Sequence, residues 1–372
     1  MRFALLLSLL VACGDSPGPE SSAPTGSSGP APAVSPAEVG ATQVPVADVT
    51  PVTAAAPTCS GLAACESACD TGDALACNLA GLLLHDGRSG ATPNRGEAAR
   101  HYRIACNLGA GIGCYNLSHV LRSGDGLPAD ETQADQLLER THRLYEGACA
   151  AGGLSWCTNL AGLVQRGEGR DPDQTHARNL YTDTCERGEP LACLELAHML
   201  SQGLGGPEDV GMAMELLSRT CESGSGPACN NLGLMVREAG GDPTERFRQA
   251  CDLSMPMGCR NLALQLPEPE RLPLLSLACD AALDLDPLAC AMAAQLLLDA
   301  PTVDAPTVQR AGTYLARACS VGLGEACVLA VQLIAEQRGF ALPPREARAL
   351  IERGCGLGDA TACAILEAPP AP

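Results

Sequence analysis

From residue 59 onward the apolar positions of this chain recur at helical spacing, in segments that come in pairs. "QADQLLERTHRLYEGAC" and "VGMAMELLSRTC" each run up to a cysteine, while "CTNLAGLVQRG" and "CNNLGLMVRE" each run away from one. Leu, Ala and Met fall three and four residues apart in these segments, so each predicts an amphipathic helix with one apolar stripe. The segment behind a cysteine is joined to the next segment by a glycine-rich loop: "HDGRSGATPN", "RSGDGLPADE", "QRGEGRDPDQ" or "SQGLGGPEDV". The segment ahead of a cysteine is joined to the one behind by a fixed frame, C-x(7)-C.

That frame pairs Cys69 with Cys77, Cys106 with Cys114, Cys149 with Cys157, Cys185 with Cys193, Cys221 with Cys229, Cys251 with Cys259, Cys319 with Cys327 and Cys355 with Cys363. A stretched copy pairs Cys279 with Cys290. Residues eight apart in one helix are separated by about 12 Å, and a disulfide needs Cα atoms within about 7 Å, so bonded pairs require the chain to reverse between them. Seven of the nine frames carry glycine three residues after the first cysteine, at Gly72, Gly109, Gly152, Gly188, Gly224, Gly322 and Gly358, where the left-handed conformation can end a helix. Eight of the nine second cysteines follow Ala or Gly, which allows close helix approach, and Trp156 is the exception. Each pair is expected to staple the end of one helix to the start of the next.

Successive first cysteines are 37, 43, 36, 36, 30, 28, 40 and 36 residues apart, a period that predicts an all-α solenoid of two-helix units. Eight helical hairpins fit between the nine frames, with a leading helix before Cys69 and a trailing one around Cys363. Cys59 and Cys65 are further disulfide cysteines whose pairing the spacing leaves open. Metal binding is the competing reading, but only Cys65 with Cys69 approaches the spacing of a zinc knuckle.

Composition narrows the picture. Only 2% of residues are aromatic and 46% are apolar, which suits thin repeated layers rather than one thick core. Forty-three acids against 24 bases give a net charge of −19, which disfavours nucleic acid as a partner. Every base is arginine, and without lysine a Walker phosphate loop, a Schiff-base lysine and an S-x-x-K nucleophile are all excluded. His85, His101, His119, His142, His176 and His198 form no metal-ligand spacing and read as ordinary helix residues. The G-x-G elements Gly124 with Gly126 and Gly167 with Gly169 lack a preceding strand and read as repeat loops. No cofactor is expected.

The first residues, "MRFALLLSLLVAC", combine one positive charge, an apolar run too short to span a bilayer and a cysteine after small residues. They resemble a bacterial lipoprotein signal, with residues 1–12 removed and Cys13 lipidated; an ordinary signal peptide cleaved elsewhere is the alternative. Residues 14–57 are rich in Pro, Ser, Thr and Ala and cannot build a core, so a lipidated cysteine and linker over 13–57, a solenoid over 58–368 and a tail over 369–372 are expected. Cys13 is the odd cysteine of 21, which fits lipidation, and the disulfides require an oxidising compartment.

The pattern N-L-[AG]-x-x-x, G-x-G, an acid, then A-x-x-x-[YL]-x-x-x-[AT]-C resembles the Sel-one-like repeat, a relative of the tetratricopeptide repeat, over residues 59–366. The C-x(7)-C frame is similar to its secreted, cysteine-rich bacterial branch. Residues 236–290 depart from the pattern, with two shortened units and no turn glycine, which puts superhelical regularity there in question. The resemblance implies a right-handed superhelix of helical hairpins, with first-helix positions lining a concave face. It suggests Asn78, Asn116, Asn159, Asn231 and Asn261 as holders of an extended peptide backbone; the alternative is that these amides fix neighbouring helices to one another. The expected function is a monomeric, lipid-anchored scaffold for a protein or peptide partner, touching membrane only through its lipid. Gly14 points to the outer membrane, facing the periplasm or the exterior. The enzymatic alternative is the weak penicillin-binding or β-lactam-hydrolysing activity described for some cysteine-rich relatives, and a glycan binder is the third reading.

Overall fold

The computed structural model describes residues 59–87, 92–281, 286–336 and 339–367. The expected signal segment, Cys13, the linker and the tail lie outside them. The described residues contain eighteen α-helices and no strand. The first nine are α1 (Leu62–Asp70), α2 (Ala74–Asp86), α3 (Arg95–Asn107), α4 (Gly111–Ser123), α5 (Glu131–Ala150), α6 (Leu154–Arg166), α7 (Gln174–Glu186), α8 (Pro190–Ser201) and α9 (Val210–Glu222). The remainder are α10 (Gly226–Glu238), α11 (Thr244–Asp252), α12 (Pro256–Gln265), α13 (Glu268–Asp280), α14 (Pro287–Leu298), α15 (Ala305–Ser320), α16 (Gly324–Ala335), α17 (Pro344–Gly356) and α18 (Ala360–Glu367). One leading helix, eight hairpins and one trailing helix make up this number, as the cysteine frames predict.

Each helix packs on its neighbours in sequence, and helices two apart also meet: α2 with α4, α6 with α8, α10 with α12, α12 with α14 and α16 with α18. Among odd-numbered helices α15 and α17 make such a contact. Contact therefore runs along the chain as in a one-dimensional stack, and the even-numbered row is the more tightly spaced.

All twenty described cysteines are paired, nine across the frames and Cys59 with Cys65. Cys185 lies in the last turn of α7 and Cys193 in the first turn of α8, with Cα atoms 4.7 Å apart. The seven frame glycines have φ between 86° and 105°. An added Cβ would meet nothing within 4 Å at Gly188, so the left-handed backbone alone demands glycine there. In the frame of Cys251, Ser254 stands in that place and still adopts φ 60°. Reversal is thus a property of the bonded frame, with glycine making it easier.

The residue before the second cysteine is buried where the helices cross. A Cβ on Gly113 would come within 2.6 Å of Ala105, and one on Gly258 within 2.5 Å of Ala250. Trp156, the exception, stacks on Tyr145 at 5.3 Å. The acid in the repeat pattern is an N-cap: Asp130, Asp173 and Asp209 accept from the backbone N–H of Gln133, His176 and Met212, starting α5, α7 and α9. The irregularity expected at 236–290 takes the form of short helices, nine residues in α11 and ten in α12, and a change of core. One apolar cluster extends to Ala250, while the next begins with Phe247, whose ring fills the space left by Gly233.

Candidate functional site

The asparagines expected to hold peptide are for the most part turned toward one another. Asn116 donates its Nδ2 to Oδ1 of Asn78 at 2.8 Å, joining α4 to α2. Asn261 donates in the same way to Asn230 at 2.7 Å, joining α12 to α10, and Asn230 donates to Asn231 at 3.4 Å. Asn78, Asn230 and Asn261 are buried, while Asn159 is half-buried on α6. In both rungs the residue one past a second cysteine accepts from the residue two past the next one. Asn230, which the sequence reading passed over, is the acceptor of the second rung.

A different cluster faces outward on the even row, between α4 and α6. Tyr115 and His119, one turn apart on α4, meet edge to face with ring centroids 4.5 Å apart. From the loop after α6, Glu168 Oε1 accepts the Tyr115 hydroxyl at 3.3 Å and the Nε of Arg166. His119 Nε2 stands 3.5 Å from Oε2, an electrostatic contact. The side chains of His119 and Arg166 are half exposed, whereas that of Glu168 is 17% exposed.

The loop that carries Glu168 is fixed from below. Gly169 lies so close to α5 that a Cβ would sit 2.7 Å from Leu138 Cβ, and Arg170 clamps Glu139 and Glu146 of α5. His142, fully buried, donates its Nε2 proton to the Glu168 carbonyl at 2.7 Å, which leaves Nδ1 without a hydrogen-bond partner among the described residues. Burial pushes the Glu168 carboxyl up, but the hydrogen bond and charge of Arg166, with Tyr115 and His119 beside it, outweigh this and hold it below the ordinary glutamate range. Burial and the Glu168 charge raise the Tyr115 hydroxyl.

The carboxylate stays ionised and engaged, the described cysteines are all in disulfides, and no group of three or more His, Cys, Asp or Glu among the described residues could hold a metal ion. No described helix is long and apolar enough to cross a membrane.

The Sel1 repeat family model matches four stretches, residues 74–109, 111–140, 157–189 and 190–225, each beginning at or within an even-numbered helix and running into the odd-numbered helix that follows. In these four stretches the chain is similar to the Sel1 repeat. Such repeats generally serve as protein–protein interaction scaffolds and are generally not enzymes. Among solved structures, a Sel1 repeat protein from Oxalobacter formigenes is 20% identical, with 82% of this chain and 88% of that one covered at a TM-score of 0.46. A protective antigen of uropathogenic Escherichia coli with an SLR fold is 17% identical, with 81% and 73% covered at 0.45. An immunity protein from Pseudomonas aeruginosa is 14% identical, with 60% and 81% covered at 0.38. No curated protein matches the chain. The Tyr115, His119, Arg166 and Glu168 cluster spans the second and third of the matched stretches.

Proposed function

We propose that this chain is an exported scaffold, lipid-anchored at Cys13 and tethered by residues 14–57 to the outer membrane, that binds a protein partner along its even-numbered helices. The observation that carries the reading is the Tyr115–His119–Arg166–Glu168 cluster, a rigidly held, half-exposed polar and aromatic surface on two successive even helices. Tyr and Arg are the residue types that most often anchor protein contacts, since each presents apolar area and hydrogen-bonding groups together. The asparagine rungs tie α2 to α4 and α10 to α12, while the Glu168 side chain itself ties the loop after α6 to α4 through Tyr115. Twenty paired cysteines and a hydrophobic leader agree with export, and the excess of acid points to a partner with basic character.

The test is capture from a bacterial envelope extract by oxidised protein, with His119→Ala, Arg166→Glu and reduced, alkylated protein in parallel. A protein held by the oxidised wild type and lost from both variants, whose helical circular dichroism is unchanged, supports the reading. Equal retention by wild type and variants contradicts it.

A further inference from the structure

A second surface lies at the stapled ends of the helices, away from the even-row cluster. Leu253 and Met257 flank the reversal between α11 and α12, and Leu288 follows the start of α14; they are 43%, 44% and 43% exposed. Together with Met255, Pro256 and Pro287 they line a groove of about 600 Å³. The two prolines open α12 and α14 and have no N–H, so the wall between them offers side-chain contact rather than backbone donors. Methionine adapts its shape to what it meets, and two of them lie here.

The two charged groups of the groove are already engaged with each other. Arg260 Nε donates to Asp286 Oδ2 at 2.6 Å, and Asp286 Oδ1 accepts from the N–H groups of Leu288 and Ala289. The one arginine of the groove is thus spent on a buried carboxylate. Beside the groove, Asp252, directly after Cys251 and next to the lining residue Leu253, is exposed and forms no ion pair among the described residues. The edge therefore couples an open apolar groove to uncompensated negative charge. A second copy of this chain, at −19, would be repelled from it, as would an anionic membrane.

We propose that this groove receives a bulky apolar side chain from a cationic segment of a partner protein, whose Lys or Arg residues lie against Asp252. The proposal rests on the scaffold reading but concerns a separate surface, so the two can fail independently.

Full-length, oxidised, exported protein is titrated into a fluorescein-labelled peptide of alternating Leu and Lys, with a Ser–Lys twin and a Leu–Glu twin, and anisotropy is read. Binding of the Leu–Lys probe, weakened about tenfold by Met257→Ser and by Leu288→Ser with no change in thermal midpoint, and weakened by Asp252→Asn at low salt, is expected. Unchanged affinity in both serine variants, or equal binding of either twin, overturns the proposal. So does flotation of the protein with phosphatidylcholine vesicles that depends on Leu288, which would make the edge a lipid contact. Because the probe needs no envelope partner, its result stands apart from the outcome of the capture experiment.

Discussion

Asn116 and Asn78 come from different repeats, 38 residues apart, yet one amide donates to the other at 2.8 Å and joins two even-numbered helices. The same rung recurs between Asn261 and Asn230, 31 residues apart. A buried amide that loses its partner keeps its desolvation cost, so recurrence in two separate places marks the rungs as structural.

Replacing Asn116 by Ala is expected to destabilise the fold by about 1–2 kcal/mol by leaving the buried Asn78 Oδ1 without its donor, and the Asn78→Ala, Asn116→Ala double variant is expected to lose less than the sum. Chemical denaturation followed by circular dichroism measures the cycle. Additive losses with no coupling would remove the rung from the account of register.

Gly188→Ala is expected to cost about 1–2 kcal/mol, because nothing blocks the added methyl and only the left-handed backbone resists it. Gly188→Asn is expected to cost less, since asparagine visits that region more readily. Equal losses for the two would place the cause elsewhere than in backbone conformation.

Arg260→Ala leaves Asp286 buried without its counter-charge, and a loss on the order of 3 kcal/mol is expected. The fluorescence of Trp156 lies in another core cluster, so circular dichroism is the appropriate readout. A loss below about 1 kcal/mol, the range of exposed pairs, would contradict the buried pairing.

Glu168 titrates lower in the folded chain than in the unfolded one. Its ionised form therefore adds stability that is complete above the unfolded value of about 4.3 and is lost as pH falls through the folded value. The stability difference between wild type and Glu168→Gln is expected to be level from about pH 7 to about pH 5 and to shrink below about pH 4. A difference that stays constant to the acid limit would show that the carboxylate is not held ionised by its neighbours.

The repeat architecture was legible because its signals are local. The C-x(7)-C spacing, the glycine three residues on and the small residue before the second cysteine all describe one reversal, and the eighteen helices follow from counting them. What could not be read was whatever depends on residues brought together from different repeats. Glu168 sits inside "GEG", which reads as a loop, and its partner Tyr115 is 53 residues away. His119 reads as an ordinary helix residue until that carboxylate is placed beside it. Asn230 carried no signal of its own, since the recurring position was the one after it. Arg260 and Asp286 lie in the stretch where the period breaks, so no repeat-to-repeat comparison links them.

The stapled register on which both surfaces depend is tested most directly by mapping disulfides in the exported protein, digested without reduction and analysed by mass spectrometry. Cross-linked peptides should join each first cysteine to its own second cysteine, Cys185 to Cys193 and so on through Cys279 to Cys290, with Cys59 joined to Cys65. Native protein whose cysteines are joined between different frames, or carry free thiols, would contradict the stapled stack.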